Sequence, residues 1–317
     1  MTRVILDVDT GIDDAQALLF ALRSPVLDIA GITTVCGNID VNQASINTLK
    51  VLDLANITDI PVARGASRPL TVTPCHVPLI HGSDGLGDTQ LPEPMNQLTN
   101  QSAIELLTDV VFTYPNDVTV ISLGPLTNIA NAIQQDLRFV RDVQKLVMMG
   151  GCYQVTPFGY GNVTPVAEYN VWADPEAAAI VFNSGLKITA VGLDITQDPS
   201  TCLRMEHVDR LAAMNTPVTS FIADLCRFQM SKTGDITFLH DPIAVATVLD
   251  PGIVTTQPGL VKVETEGLLT RGMTIFERRP KWFTPVQTVG WIMTQVCTSI
   301  KGQRFLELFL NQLEHTR

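Results

Sequence analysis

The run Val4-Ile-Leu-Asp-Val-Asp-Thr-Gly-Ile-Asp-Asp14 begins as an apolar β-strand and turns at Thr10-Gly11 into an amphipathic helix. It places four carboxylates, Asp7, Asp9, Asp13 and Asp14, within the first fourteen residues. Asp9, Asp13 and Asp14 fall around the carboxyl end of a buried strand. Like charges this close repel, and burial disfavours each charged form. Such a knot is stable if some carboxylates stay protonated or a cation sits among them. An all-oxygen donor set favours a hard ion, Ca²⁺ or Mg²⁺, over zinc. The plainer reading is that Asp13 and Asp14 cap a helix. A cap uses one side chain, and four acids exceed that need.

The pattern around this run is an alternation of short apolar runs and amphipathic stretches. Strands are expected at Val4–Val8, Ile29–Val35, Val118–Ser122, Lys145–Met149 and Ile188–Val191. Between them the 3.6-residue spacing predicts helices over Asp14–Arg23, Val41–Leu54, Thr127–Gln135 and Pro175–Asn183. This order implies βαβ units: an open, doubly wound, Rossmann-like α/β fold with a mainly parallel sheet covered on both faces. The last third reads as helices over Val218–Met230, Pro242–Val248 and Gln303–His315. Strand-like segments are read at Leu260–Val263, Thr274–Phe276 and Pro285–Val289. No repeat or linker is visible, so residues 1–317 are expected to form a single domain. Residues 64–100 and 152–170 are rich in Gly and Pro, as site loops often are.

Composition narrows the function. The chain has 317 residues, 45% hydrophobic and 17% charged, enough for a large core. A net charge of −11 argues against a nucleic-acid partner and leaves an uncharged nucleoside or sugar compatible. No apolar run reaches membrane-spanning length, and Met1-Thr2-Arg3 leads straight into a strand without a signal peptide. The six cysteines show no C-x-x-C pair and are expected as reduced thiols. The expected location is the cytoplasm.

In an open α/β sheet, ligands bind beyond the carboxyl ends of the strands. Polar residues just after predicted strands are therefore the site candidates: Asp9, Asp13 and Asp14; Asn38; the Ser122-Leu123-Gly124 turn; and Met149 with the loop bearing Asn162, Glu168 and Asn170. His240 and Asp241 precede a predicted helix. Each has a simpler role open to it. Asn38 would serve as a left-handed turn former, Asp241 before Pro242 as an N-cap, and His81 and His240 as ordinary core or surface histidines.

Taken together these segments resemble the inosine–uridine-preferring nucleoside hydrolases. Asp7-Val-Asp-Thr-Gly-Ile-Asp-Asp14 is similar to that family's D-x-D-P/T-G-x-D-D signature. The likeness continues through Val35-Cys-Gly-Asn38, Ile80-His-Gly-Ser-Asp-Gly-Leu86, Leu123-Gly-Pro-Leu-Thr-Asn-Ile-Ala130 and Val147-Met-Met-Gly-Gly151. It ends with Ala167-Glu-Tyr-Asn-Val-Trp-Ala-Asp-Pro175 and Leu239-His-Asp-Pro242. The resemblance implies one Ca²⁺ held by Asp9, Asp14, Asp241 and the Leu123 carbonyl, with Asp7 supporting them. It implies a water activated by Asp9 as general base and steadied by Asn38, cleaving the N-glycosidic bond of a ribonucleoside (uridine, cytidine or inosine). Asp13, Asn162, Glu168, Asn170 and Asp241 would hold the ribose, with Met149 behind it. His240, then His81, would serve the leaving base. Relatives are often dimers or tetramers, so a homo-oligomer is expected. Many relatives carry a Tyr or His on the helix before the Leu-His-Asp-Pro block. Here that helix reads Arg227-Phe-Gln-Met-Ser-Lys232, which makes Phe228, Gln229 and Lys232 candidates for the base side.

Two rival classes remain at this point. A haloacid-dehalogenase-type Mg²⁺ phosphatase would use Asp7 as nucleophile, but Gly11 departs from its pattern and Asp13-Asp14 goes unexplained. A non-catalytic nucleoside- or ribose-binding protein would keep the same pocket without turnover.

Overall fold

The computed structural model describes residues 1–279 and 292–314. Eleven strands are present among these: β1 (Thr2–Val8), β2 (Leu27–Thr34), β3 (Val62–Arg64), β4 (Val118–Ser122), β5 (Lys145–Met149), β6 (Ile188–Val191), β7 (Leu203–Arg204), β8 (Ile236–Thr237), β9 (Val254–Val263), β10 (Thr274–Glu277) and β11 (Met293–Ile300). Nine of them form one sheet in the order β10-β9-β11-β6-β5-β4-β1-β2-β3. From β3 to β11 all neighbours run parallel, and only β9 pairs antiparallel with β11 and β10. β7 and β8 form a separate antiparallel pair.

The two-residue period of the strands explains the layers. Val4, Leu6 and Val8 of β1, with Val147 and Met149 of β5, enter one core. Ile5, Leu146 and Met148 enter the core on the opposite face. The first core takes in helices Ile12–Leu22, Pro217–Thr233, His240–Leu249 and Gly302–Glu314. The second is covered by helices Ala103–Thr113, Thr127–Gln135 and Pro175–Asn183. Sheet order reverses between β1 and β4, and both are interior strands. The carboxyl end of β1 therefore opens into the crevice where such sheets bind ligands. Helix Ile12–Leu22 is buried except for Asp13, and it packs against helix His240–Leu249. Both bring acidic residues in their first turns, Asp13 and Asp14 from one and Asp241 from the other.

The sequence-predicted elements of the first two-thirds recur within a few residues. The first helix starts at Ile12 rather than Asp14, because extended Gly11 already serves as its N-cap. β9 begins at Val254, well before the expected Leu260. Strand β11 and helix Ala103–Thr113 were not anticipated. That helix carried a readable signal, Ser102-Ala-Ile-Glu105. The Glu105 N–H donates to Ser102 Oγ at 3.3 Å, and the Ser102 N–H to Glu105 Oε2 at 2.7 Å. The strand expected at Pro285–Val289 lies outside the described residues, as does the last residue of the helix expected at Gln303–His315.

Candidate functional site

Asp7 is the last acid still inside the sheet, in register with Thr33 of β2 and Ser122 of β4. Thr33 Oγ1 donates to its Oδ1 at 2.6 Å and Asn128 Nδ2 at 2.7 Å, while Oδ2 has no partner among the described residues. Burial pushes this carboxyl up to about 7, against the lowering effect of those two bonds. Asp9 sits one step beyond the strand. Its Oδ2 accepts the Asn38 N–H at 2.6 Å, and its Oδ1 is buried without a partner. Burial, then the charge of Asp14, raises Asp9 well above the usual carboxylate range.

Asp14 ties the turn together. Its Oδ1 accepts the Asp9 N–H at 3.1 Å, and its Oδ2 accepts the Gly11 N–H at 3.0 Å and Asn38 Nδ2 at 3.2 Å. The capping reading of Asp14 is therefore satisfied by one oxygen, leaving further acceptor capacity. Asp241 is different. Its helix begins at His240 behind Leu239, with no side-chain cap. The expected N-cap role of Asp241 does not occur, because the residue lies inside the first turn. Its carboxylate is buried and makes no hydrogen bond among the described residues. Burial, then the charges of Asp13 and Asp14, lifts it well above the usual value. Burial also raises Asp13 and Asp14, each to about 6.

Carboxylate oxygens of Asp13, Asp14 and Asp241 come within 4.8 Å of one another. Asp9 is not part of this tightest trio, and Asp13, assigned to the ribose from sequence, is. Among the described residues no Lys or Arg pairs with any of the four. Asp13 Oδ1 has only His81 Nδ1 nearby, at 3.9 Å, and that nitrogen already accepts the Ile12 N–H at 3.1 Å. Open oxygens on Asp9, Asp13 and Asp241, all hard donors, fit a divalent cation. The Leu123 carbonyl at the end of β4 belongs to the same region. Asn170 Nδ2 donates to it at 2.6 Å, which leaves a second lone pair.

Close backbone approach shapes this floor. A Cβ on Gly37 would lie 2.0 Å from Asp9 Oδ2, and one on Gly11 2.5 Å from His81 Nδ1. Gly37→Ala is expected to lower the melting temperature and to cut kcat/KM at least about tenfold, by pushing Asp9 off the Asn38 N–H. Thermal melts with steady-state kinetics check both, and an unchanged kcat/KM would remove Gly37 from this account.

Above the floor opens a cavity of about 300 Å³. Asp13, Asn38, His81, Leu123, Met149, Asn162, Glu168, Asn170, His240 and Asp241 line it. Asp9 and Asp14 lie fully buried beside it. Asn38 is not a left-handed turn residue and instead braces Asp9 and Asp14. Glu168 accepts the N–H groups of Gly151, Asn170 and Val171 at 2.8, 2.8 and 3.1 Å. Asn162 Oδ1 accepts the Tyr169 N–H at 2.9 Å, which orients its amide. Burial lowers His81 and His240 to about 4, so both are neutral imidazoles at pH 7.

Phe228 does not line the cavity. On the helix Pro217–Thr233 it packs beside Gly87 and the first core, with Lys232 Nζ 5.2 Å from its ring centroid. The other two candidates on that helix, Gln229 and Lys232, line the cavity, and so does Thr233. Sequence reasoning did not select Tyr169, Gln197, Thr237 or Phe238, which also line it. Tyr169 stands inside the Ala167–Pro175 motif and Phe238 directly before Leu239-His-Asp-Pro242, and that adjacency was the available signal.

A buried acidic cluster that could hold a metal ion, at the switch point of a parallel sheet and under a pocket of amides and histidines, marks an α/β enzyme site. The profile of the inosine-uridine preferring nucleoside hydrolases matches residues 4–307. Uridine nucleosidase 1 of Arabidopsis thaliana is 38% identical over 313 residues, covering 96% of this chain and 91% of that protein. A solved plant nucleoside hydrolase, PpNRh1, superposes with a TM-score of 0.91 at 32% identity, covering 98% of both chains. A purine-preferring ribonucleoside hydrolase from Gardnerella vaginalis superposes with a TM-score of 0.89 at 33% identity, covering 99% of this chain and 98% of that one. The chain belongs to the inosine-uridine preferring nucleoside hydrolase family. It is an enzyme that hydrolyses the N-glycosidic bond of ribonucleosides.

Proposed function

We propose that this enzyme cleaves uridine and related ribonucleosides to ribose and free base at the cavity above Asp9, using one Ca²⁺. The observation that carries the reading is that Asp9 Oδ1 and Asp13 Oδ1 are buried without a hydrogen-bond partner among the described residues, beside the buried Asp241. Asp9, Asp14, Asp241 and the Leu123 carbonyl would hold the ion, with Asp13 at its edge. When bound, Ca²⁺ supplies charge that eases deprotonation of a neighbouring water and offers ligation to the ribose diol.

The side chains do the rest. Asp9 takes the proton of the attacking water, steadied by the Asn38 N–H. As the C1′–N bond breaks, an oxocarbenium-like sugar forms and the acidic floor favours its positive charge. Asp13, Asn162, Glu168 and Asn170 hold the ribose hydroxyls against Met149. At His81 the Ile12 N–H occupies Nδ1, so the ring's one proton sits on Nε2. His240 offers the second neutral donor. Neither ring is acidic enough to hand over its proton at pH 7. Each stabilises the departing base by a hydrogen bond to its developing negative charge.

The identity to a uridine nucleosidase supports a pyrimidine base. The likeness to a purine-preferring hydrolase favours a purine base as the second reading. A panel of uridine, cytidine, inosine, adenosine and guanosine, with and without EDTA, tests both the base and the metal. EDTA is expected to abolish turnover and Ca²⁺ to restore it; full activity after exhaustive chelation would sink the calcium reading.

Stability should report the same ion. Without metal, the folded protein holds Asp7 near 7 and Asp13 and Asp14 near 6, whereas the unfolded chain releases those protons near 3.8. A raised folded pKa means stability that is full below the unfolded value and lost as pH rises towards 7. Melting in EDTA is therefore expected to occur at a lower temperature at pH 7.5 than at pH 5. Ca²⁺ at a hundred times its Kd adds about 2.7 kcal/mol, and its effect should be larger at pH 7.5, where the carboxylates are free to bind it. Equal stabilisation at both pH values would contradict this.

A further inference from the structure

We infer that Thr196 is a positioning residue that sets the tautomer of His240, so that its Nε2–H faces the leaving base. The inference rests on the proposed role of His240 as a donor, and Thr196 has no assigned role in that reaction.

His240 Nδ1 lies 2.7 Å from Thr196 Oγ1. A hydroxyl can donate or accept, so the contact alone does not set the ring's proton. The surroundings do. Thr196 is fully buried, and its hydroxyl meets nothing but His240 Nδ1 among the described residues. If Nδ1 carried the proton and donated, the hydroxyl hydrogen would be buried without an acceptor. If the hydroxyl donates, its hydrogen is satisfied and the imidazole proton is forced to Nε2. Buried donors are rarely left unpaired, whereas a spare oxygen lone pair is tolerated. The second arrangement therefore prevails.

The hydroxyl is held firmly enough to impose this choice. Thr196 closes the short helix Leu193–Thr196 that follows β6, with its own N–H bonded to the Gly192 carbonyl at 3.2 Å. The imidazole is also stacked on Phe238, with ring centroids 5.5 Å apart and planes 22° apart. With one face stacked and Nδ1 bonded, Nε2 is the ring's remaining hydrogen-bonding atom, and His240 lines the cavity.

At His81 a backbone N–H enforces the same tautomer. The two histidines thus present Nε2–H donors by different means, one backbone and one hydroxyl. The chemistry balances without moving a histidine proton. The C1′–N bond breaks with its electron pair going to the base, water oxygen bonds to C1′, and the water proton goes to Asp9. The base is held as an anion by Nε2–H and takes a proton from Asp9 or solvent on release.

The test compares Thr196→Val, Thr196→Ser and His240→Ala on uridine and on p-nitrophenyl β-D-ribofuranoside, whose leaving group needs no donor. Thr196→Val is expected to lower kcat for uridine about 10- to 100-fold, with KM little changed. The loss on the nitrophenyl riboside should be at least about tenfold smaller. Thr196→Ser should recover most of the uridine rate, and adding Thr196→Val to His240→Ala should cost nothing further. In ¹⁵N spectra the His240 Nδ1 should be pyridine-like in the wild type and lose that uniform character in Thr196→Val. Equal losses on both substrates, or a pyrrole-like Nδ1 in the wild type, overturn the inference. If His240→Ala slows uridine but Thr196→Val does not, Thr196 alone is dismissed. If His240→Ala leaves uridine turnover intact, the donor reading itself fails.

Discussion

Asp9→Asn is expected to lower kcat for uridine about 10³- to 10⁴-fold, the scale of a lost general base, or about 4 to 5.5 kcal/mol of activation free energy. The carboxylate is fully buried. One oxygen is committed to the Asn38 N–H, and the other is open. An amide of the same shape keeps the first bond through its oxygen and places an NH₂ where the open oxygen was. That group cannot take a proton from water. The fold should survive, since burying a neutral amide is easier than burying a charge. Kinetics at saturating Ca²⁺, with a thermal melt as control, check the outcome. A kcat within tenfold of the wild type would move the base elsewhere.

Removal of the ribose 2′-hydroxyl should cost on the order of 10⁴ in kcat/KM. The pocket is built from polar groups that are buried and partly unpaired. Asp13 Oδ1 has no partner, and Asp241 has none at all among the described residues. Glu168 and Asn170 are locked by backbone bonds and cannot swing away to find others. A deoxyribose would leave these groups unsatisfied in the closed site, and such groups are expensive to strand. Comparing uridine with 2′-deoxyuridine gives the ratio directly, and comparable turnover of the two would rule out a ribose-gripping role for this cluster.

The parallel half of the sheet was legible because its strands are short apolar runs followed by amphipathic helices. Many residues that line the cavity were open to selection because the acids and amides follow strand ends. What escaped had weaker periodicity. β11, Met293-Thr-Gln-Val-Cys-Thr-Ser-Ile300, is half polar without strict alternation and is ordered by its two neighbours β6 and β9 rather than by its own pattern. Of the three base-side candidates, Gln229 and Lys232 line the cavity and Phe228 does not, because adjacent residues on a helix point about 100° apart. The chain's sequence puts Phe228 and Gln229 side by side, and only packing against Gly87 shows which of them turns away from the cavity. Similarly, the pairing of Thr196 with His240 spans 44 positions and left no trace in local spacing.

The contact between helices Ile12–Leu22 and His240–Leu249 has a consequence for how the molecule is made. The N-terminal acids are synthesised first, but their partner Asp241 emerges more than two hundred residues later. Until that segment docks, the early carboxylates stay hydrated on an incomplete sheet. Completion of the proposed ion site is thus a late, long-range event of folding, and nascent chains stalled before the Leu239-His-Asp-Pro242 block should gain no protection from protease when Ca²⁺ is added.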